Sequence, residues 1–299
     1  MYLNLIFWYF LSLAIVVTIV GFVVNSGNAP GLFVRLFMYG KTSVERTAGL
    51  IQVPKRWFLH FYLVGSMEVT FVMAQVIQVN VVGRAAPAWL RHLLATLTDC
   101  HAPSCSPESV VLATCLLTAQ IYRRLYEHLF VHVPSDTRMN VLHYWVGVLH
   151  YVLGVIAVVA EAPGFVLDDS SRWLINVTKL SWLDRICGAV FMLAWLHQYR
   201  ANCIFADLRK NSSGAVVNRG HAVPRGDWFE YVSCPHYLAE VVMYSCLTVI
   251  LGPRHFTWLA VWLWVVANQV STAVMSHQWY KQKFDDYPKQ RRAIFPYLL

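Results

Sequence analysis

Long apolar runs separated by short polar or turn-rich connections set the pattern of this chain. They lie at about Leu5 to Val24, Leu59 to Val82, Val110 to Val131, Val141 to Val159, Leu183 to Phe205, Tyr237 to Leu251 and Phe256 to Met275. Each approaches the roughly 20 residues that a helix needs to cross a hydrocarbon core. The sixth is short and the fifth carries Arg185. The pattern predicts an all-α integral membrane protein with about seven transmembrane helices, forming a single membrane domain over residues 1–299. Met1 to Val24 has no basic leader and no small-residue cleavage site, so it reads as a first span rather than a removable signal peptide.

Composition supports that reading. With 57% hydrophobic residues, 13% charged residues and a mean hydropathy of +0.46, the 299-residue chain is too apolar for an ordinary soluble domain. In a soluble chain the net charge of +8 would suggest nucleic acid, but here the cations sort by side of the membrane. Arg35, Lys41, Arg46, Lys55, Arg56, Arg138, Arg209, Lys210, Arg219, Arg225 and five tail cations fall on one side. Arg84, Arg91, Arg172, Lys179, Arg185 and Arg254 fall on the other. The excess puts the C-terminus in the cytosol. None of the seven cysteines forms a Cys-x-x-Cys pair, so no metal site is expected. Cys100 and Cys105 share a lumenal connection in which a disulfide is permitted. Asn176-Val177-Thr178 and Asn211-Ser212-Ser213 match the glycosylation pattern, and only the first falls on the predicted lumenal face.

Polar groups inside the apolar runs carry the candidate chemistry. Glu68, Gln75 and Gln78 share one face of the second span, either as a helix–helix seam or as the lining of a substrate passage. The third span ends in Gln120-Ile121-Tyr122-Arg123-Arg124, where one arginine is expected to face inward and the other to snorkel. His143 and His150 read as packing histidines. Gln198, Asn202 and Arg209 recur on one face of the fifth span, a donor set that suits a sugar and a phosphate, although a solvated helix end gives the same pattern. His236 and Glu240 stand one helical turn apart and could form a structural pair. Asn268, Ser271 and Met275 form a stripe that continues to His277. Leu32 to Arg46, mixing cations with aromatics, suits an interfacial segment. From Ser276 to Leu299 five cations alternate with aromatics and prolines, a pattern that reads either as a positive-inside anchor or as an anion-binding lid with His277 and Tyr280 facing inward.

Three motifs in order, His-Gln-Tyr-Arg with Asp-Leu-Arg-Lys-Asn, Pro-Arg-Gly-Asp-Trp-Phe-Glu-Tyr-Val-Ser-Cys-Pro-His-Tyr-Leu-Ala-Glu, and Ser-His-Gln-Trp-Tyr-Lys with Asp-Tyr-Pro-Lys, make residues 197–299 resemble the steroid 5α-reductase family, most closely its polyprenol reductase branch. The likeness is weaker over Gly40 to His60 and Gln120 to His128. The resemblance implies a multi-pass enzyme of the endoplasmic reticulum membrane that uses NADPH to saturate a carbon–carbon double bond conjugated to a carbonyl. No Gly-x-Gly-x-x-Gly is present, so a dinucleotide must lie among helices and loops.

Carried over residue by residue, the resemblance assigns Arg124, Arg209, Glu240 and Tyr280 to the cofactor directly. Gln198 and Asn202 stand where steroid enzymes have Asn and Asp, and His236 where Asn is usual. His277 is implied as a cofactor-orienting or acid group. The steroid enzymes hold their ketone with a Glu before Leu-Pro and a Tyr in the third span, whereas here the matching places hold Gln52 before Val53-Pro54, and Ile121. Gln52 donates a hydrogen bond but no proton, which counts against a steroid ketone. The implied substrate is a polyprenoid lipid reduced at its α-isoprene unit toward dolichol, in support of protein N-glycosylation. Steroid 5α-reduction, long-chain enoyl-CoA reduction and a non-enzymatic seven-span transporter or lipid-binding scaffold are the alternatives. His60, Tyr122 and Glu68 are candidate proton donors by location. No nucleic acid and no obligate protein partner is expected.

Overall fold

The computed structural model describes residues 4–26, 51–133, 137–167, 173–217 and 220–299. The predicted interfacial segment Leu32 to Arg46 lies outside them. Among the described residues eight α-helices run in the order α1 Leu5–Asn25, α2 Phe58–Asn80, α3 Ala88–Thr98, α4 Pro107–Tyr126, α5 Val141–Ala157, α6 Trp182–Asp207, α7 Pro235–Leu251 and α8 Phe256–Lys283. Seven of them coincide with the predicted apolar runs. The short helix α3 was not expected. It spans 11 residues and buries only Leu90, Leu94 and Thr98, an i, i+4, i+8 stripe within a sequence that also holds Arg91 and His92.

Helix starts follow local chemistry. Asn4 caps α1 by accepting from Phe7 N, and its amide donates to Thr257 Oγ1 at 2.7 Å, which ties the start of α1 to the start of α8. Ser106 caps α4 ahead of Pro107 in the first turn, and Ser181 with Asp184 forms a capping box on α6. Apolar side chains, many of them small or β-branched, fill the contacts between helices: Val69, Val72, Val76 and Val79 of α2, Ala113 and Leu117 of α4, Ala239 and Met243 of α7, and Val261 and Val265 of α8 are all buried.

The outer faces are apolar as well. Ile19, Phe22, Met67, Trp182 and Leu193 are each more than half exposed. Helices apolar both inward and outward are what a lipid surround permits and water penalises. Three helical segments, Leu5–Asn25, Lys55–Asn80 and Phe256–Lys283, are long and apolar enough to cross a membrane by length and composition. Helices α5 and α7 are shorter apolar segments.

Contacts at the two ends of the bundle fix its polarity. At one end Glu161 accepts from Thr257 N and Oγ1 at 2.7 and 2.6 Å, and Asn176 N donates to Glu108 at the start of α4. At the other, β1 (Gln52–Pro54) pairs antiparallel with β2 (Arg138–Asn140), Gln52 facing Asn140, just before α2 and α5 begin. Cys100 and Cys105 are free thiols, donating to Ala102 O and Glu161 O.

Helices α2 and α5 approach most closely at two glycines. A Cβ on Gly65 would lie 2.5 Å from Tyr151 Cδ1, and one on Gly147 would lie 2.7 Å from the Phe61 ring. Tyr151 is held by edge contacts with Tyr62 and His150 and has little room to yield. Gly65→Ala is therefore expected to destabilise the protein by about 1–3 kcal/mol through overpacking. A lowered thermal midpoint in detergent, partly restored by adding Tyr151→Leu, checks this.

Candidate active site

A cavity of about 840 Å³ opens at the β1/β2 end of the bundle, walled by the start of α2, the end of α4, the ends of α6 and α8, and the start of α7. Its volume falls in the range of cofactor and small-molecule sites. Arg124, Asn202, Arg209, His236 and Tyr280 all line it, so five of the ten predicted site residues meet on one surface.

Two more, Gln198 and Glu240, are not lining residues but are tied to the backbone of His236, which is. Gln198 Nε2 donates to the Glu240 carboxylate and, at 2.9 Å, to His236 O. Gln120 Nε2 donates to Gln198 Oε1 at 2.9 Å and to Glu240 Oε2 at 3.1 Å. Arg123 donates to Gln120 Oε1 at 2.6 Å, to Gln198 Oε1 and to Trp195 O. Gln198 thereby links the Glu240 carboxylate to the backbone carbonyl of His236, the two residues that could form a structural pair by sequence.

Both arginines at the end of α4 point inward. This corrects the expectation that one snorkels. The reason is Glu127, which is 3% exposed: its Oε1 lies 3.2 Å from Arg123 Nη1, its Oε2 contacts Arg124 Nη1 and its Oε2 also accepts from Asn202 Nδ2 at 2.9 Å. Glu127 opens a π-helical turn, Glu127–Val131, whose extra residue per turn swings Glu127 and His128 toward the cavity. Arg124 Nη2 also donates to Tyr62 Oη at 2.9 Å.

Arg123 and Arg124 are both paired with Glu127. Lys55, Arg56 and Arg209 also line the cavity, and Glu127 is the only carboxylate among the described lining residues. Arg209 is positioned by donating to Val133 O at 2.7 Å. The field of these cations is felt by His132, whose pKa is pushed down to about 4, first by burial and then by the positive charge of His128, Lys55, Arg209 and Arg124.

The three predicted catalytic residues lie elsewhere. His60 borders an adjoining, smaller pocket of about 380 Å³ that shares Arg56, His128 and His132 with the main cavity, and its Nδ1 lies 3.1 Å from Tyr144 Oη. Tyr122 is 46% exposed on the outer face, where its hydroxyl meets Thr70 Oγ1 at 2.7 Å. His277 Nδ1 sits 2.6 Å from Ser233 Oγ, which also contacts Tyr287 Oη at 2.6 Å and donates to Arg292 O. In that position His277 clasps the tail to the loop ahead of α7 and is absent from the cavity lining. Asn268, Gln269, Thr272, Met275 and Ser276 of α8 line the cavity, whereas Ser271 does not.

The loop before α7 is shaped by Gly226 at φ 88° and Asp227 at φ 47°, left-handed conformations suited to Gly and tolerated by Asp. That turn lets Asp227 reach His197 Nδ1 at 2.8 Å while Trp228 stacks on the same imidazole at 4.2 Å. The tail then zips onto the loop: Ser233 N donates to Arg292 O, Cys234 N to Ala293 O and Arg292 N to Tyr231 O. Arg291, fully buried, donates to Pro224 O at 2.8 Å.

Comparison with known proteins meets this geometry. Residues 170–299 match the 3-oxo-5-alpha-steroid 4-dehydrogenase family. Over 274 residues the chain is 37% identical to a polyprenal reductase of Xenopus tropicalis, covering 89% of this chain and 88% of that one. Its identity to the polyprenal reductase of Homo sapiens is 34% over 302 residues, 97% and 94% of the two chains. The corresponding Caenorhabditis elegans protein is 33% identical, with 88% and 86% covered. The chain belongs to the polyprenal reductase branch of the steroid 5α-reductase family. Within that branch, the clustering of Arg124, Asn202, Arg209, His236 and Tyr280 around one cavity supplies the geometry that the sequence motifs alone left open.

The depressed His132 gives a pH prediction. In the unfolded chain this imidazole takes up its proton near pH 6.5, whereas in the fold it resists until about pH 4. The unfolded state therefore binds the extra proton across that window, and stability falls as pH drops through it. His132→Gln should flatten this loss between pH 6.5 and 4 in denaturation measurements on the detergent-solubilised protein, without changing stability at pH 8.

Proposed function

We propose that this protein reduces the α-isoprene double bond of polyprenal, using NADPH, on the route to dolichol. The observation that carries the reading is the cationic lining of the cavity, where Arg56, Arg124 and Arg209 stand together with Lys55 and Glu127 is the only carboxylate among the described lining residues. A cationic surface within a partly apolar cavity suits a dinucleotide, its phosphates against the cations and its nicotinamide against the apolar part. Arg209, Tyr280, Asn202 and His236, which line the cavity, are the residues we assign to the cofactor, and Gln198 and Glu240 support them from behind. NADPH supplies the hydride for the β-carbon. The protein polarises the aldehyde and admits a proton to the α-carbon.

In this reading all seven long helices cross the membrane of the endoplasmic reticulum. The cavity and the C-terminus face the cytosol, where the cationic connections gather. The polyprenoid chain reaches the site from the lipid, against the apolar outer faces of the helices. His277 orients the tail through Ser233 and acts on the cofactor from behind Tyr280.

Purified protein in detergent with NADPH should convert polyprenal to dolichal while leaving testosterone unreduced. Turnover of testosterone with none of polyprenal would overturn the assignment in favour of a steroid reductase, and absence of any NADPH oxidation would favour a transporter or scaffold. Arg209→Ala should raise the KM for NADPH by about tenfold to a hundredfold, the loss of a charge-assisted contact, with a smaller effect on the KM for polyprenal.

A further inference from the structure

We propose that Tyr62 is the group that hydrogen-bonds the substrate carbonyl and serves as its acid, an inference that rests on the polyprenal reductase reading. The family's Glu and Tyr acid pair is absent, since Gln52 lies in β1 opposite Asn140 and Ile121 is buried in the core of α4. Some other group must meet the carbonyl oxygen. It has to line the cavity, carry a proton and have that proton free to donate.

The candidates named from sequence fail one of these conditions. Tyr122 faces outward onto Thr70, and His60 is not among the lining residues and has its Nδ1 engaged by Tyr144. His277 is engaged by Ser233, and Glu68 is not among the lining residues.

Tyr62 meets all three. It lines the cavity and is 7% exposed. Its hydroxyl oxygen accepts from Arg124 Nη2 at 2.9 Å. A guanidinium has donors and no acceptor, so that contact occupies a lone pair of the phenol and leaves its hydrogen unused. The Arg124 guanidinium also lies 5.3 Å from the ring centroid, and the ring is braced between His128 at 5.5 Å and Tyr151 at 5.8 Å. The result is a fixed phenol, backed by a permanent cation, with one donor aimed away from that cation. This is the arrangement that stabilises a developing oxyanion.

The step balances as follows. Bound NADPH would supply a hydride for the β-carbon; as the π electrons of the double bond shift onto the carbonyl, its oxygen takes the Tyr62 proton to give an enol. Arg124 stabilises the resulting phenolate. As the α-carbon takes a proton from water, the enol O–H bond breaks and its proton returns to Tyr62, restoring the aldehyde. One hydride and one solvent proton are consumed, and Tyr62 is unchanged.

The test compares wild-type protein with Tyr62→Phe in detergent, reading polyprenal turnover and NADPH affinity by cofactor fluorescence. The expected result is a fall in kcat of about a hundredfold or more with the NADPH Kd unchanged within twofold. Retention of more than a tenth of wild-type turnover overturns the proposal, as does loss of NADPH affinity in step with activity, which would assign Tyr62 to the cofactor. Placing a ring-fluorinated, more acidic tyrosine at position 62 should shift the alkaline limb of the kcat profile to lower pH. An unmoved limb overturns the proposal even if Tyr62→Phe fails to fold. Failure of the wild-type protein to reduce polyprenal at all is a different outcome, since it removes the functional reading itself.

Discussion

A single buried carboxylate holds the site together. Glu127 receives Arg123 and Arg124 from the last turn of α4 and the amide of Asn202 from α6. Two adjacent arginines inside an apolar bundle would otherwise be prohibitively costly, because an unpaired charge there is penalised by several kcal/mol. Pairing them with Glu127 turns that cost into architecture. Arg123 is freed to order Gln120 and Gln198 behind the cavity wall, and Arg124 to reach across to Tyr62 on α2. Removing Glu127 would strand both cations at once, so the ends of α2, α4 and α6 depend on it together.

The consequence for the cavity is a cationic lining. Arg124 is paired with Glu127, the only carboxylate among the described lining residues, and Lys55, Arg56 and Arg209 line the same cavity. The backbone sets this arrangement: the π turn after Tyr126 brings Glu127 and His128 in, and the β1/β2 pairing fixes where Lys55 and Arg56 enter α2.

Much of the helical framework was legible in the sequence, because apolar runs as long as Leu5 to Val24 and Phe256 to Met275 leave few alternatives to spanning helices. Helix α3 was missed because its apolar stripe is only three residues long and interrupted by Arg91 and His92. Site residues were legible when motif and helical face agreed. Asn202 and Arg209 line the cavity, and Gln198, four residues before Asn202, reaches His236 O and Glu240 behind it. The misses follow from rotation about the helix. Ser276 and Tyr280 share the cavity face of α8, and His277, turned by roughly 100° from Ser276, meets Ser233 instead. On α4 the inward face passes through Gln120, Arg123, Arg124 and Glu127, which leaves Tyr122 outside. Tyr62 gave no signal of its own, because its role depends on an arginine 62 residues away.

The tail acquires its meaning from the same geometry. Its cations looked divisible between anchoring and anion binding, but the one that is fully buried, Arg291, turns away from the cavity to Pro224 O and the Tyr287 ring. Tyr287 in turn stacks on Tyr280 at 5.4 Å, and its hydroxyl shares Ser233 with His277. The tail thus braces the two elements that form the far wall of the cavity, the end of α8 through Tyr280 and the start of α7 through Ser233 and Cys234. A cofactor held by Tyr280 and the His236 turn would feel any loosening of this brace, although no atom of Arg291 lines the cavity. The tail acts on the site by fixing the wall against which a ligand binds, and its hydrophobic end, with Ile294 N and Phe295 N both donating to Leu299 O, closes the brace on itself.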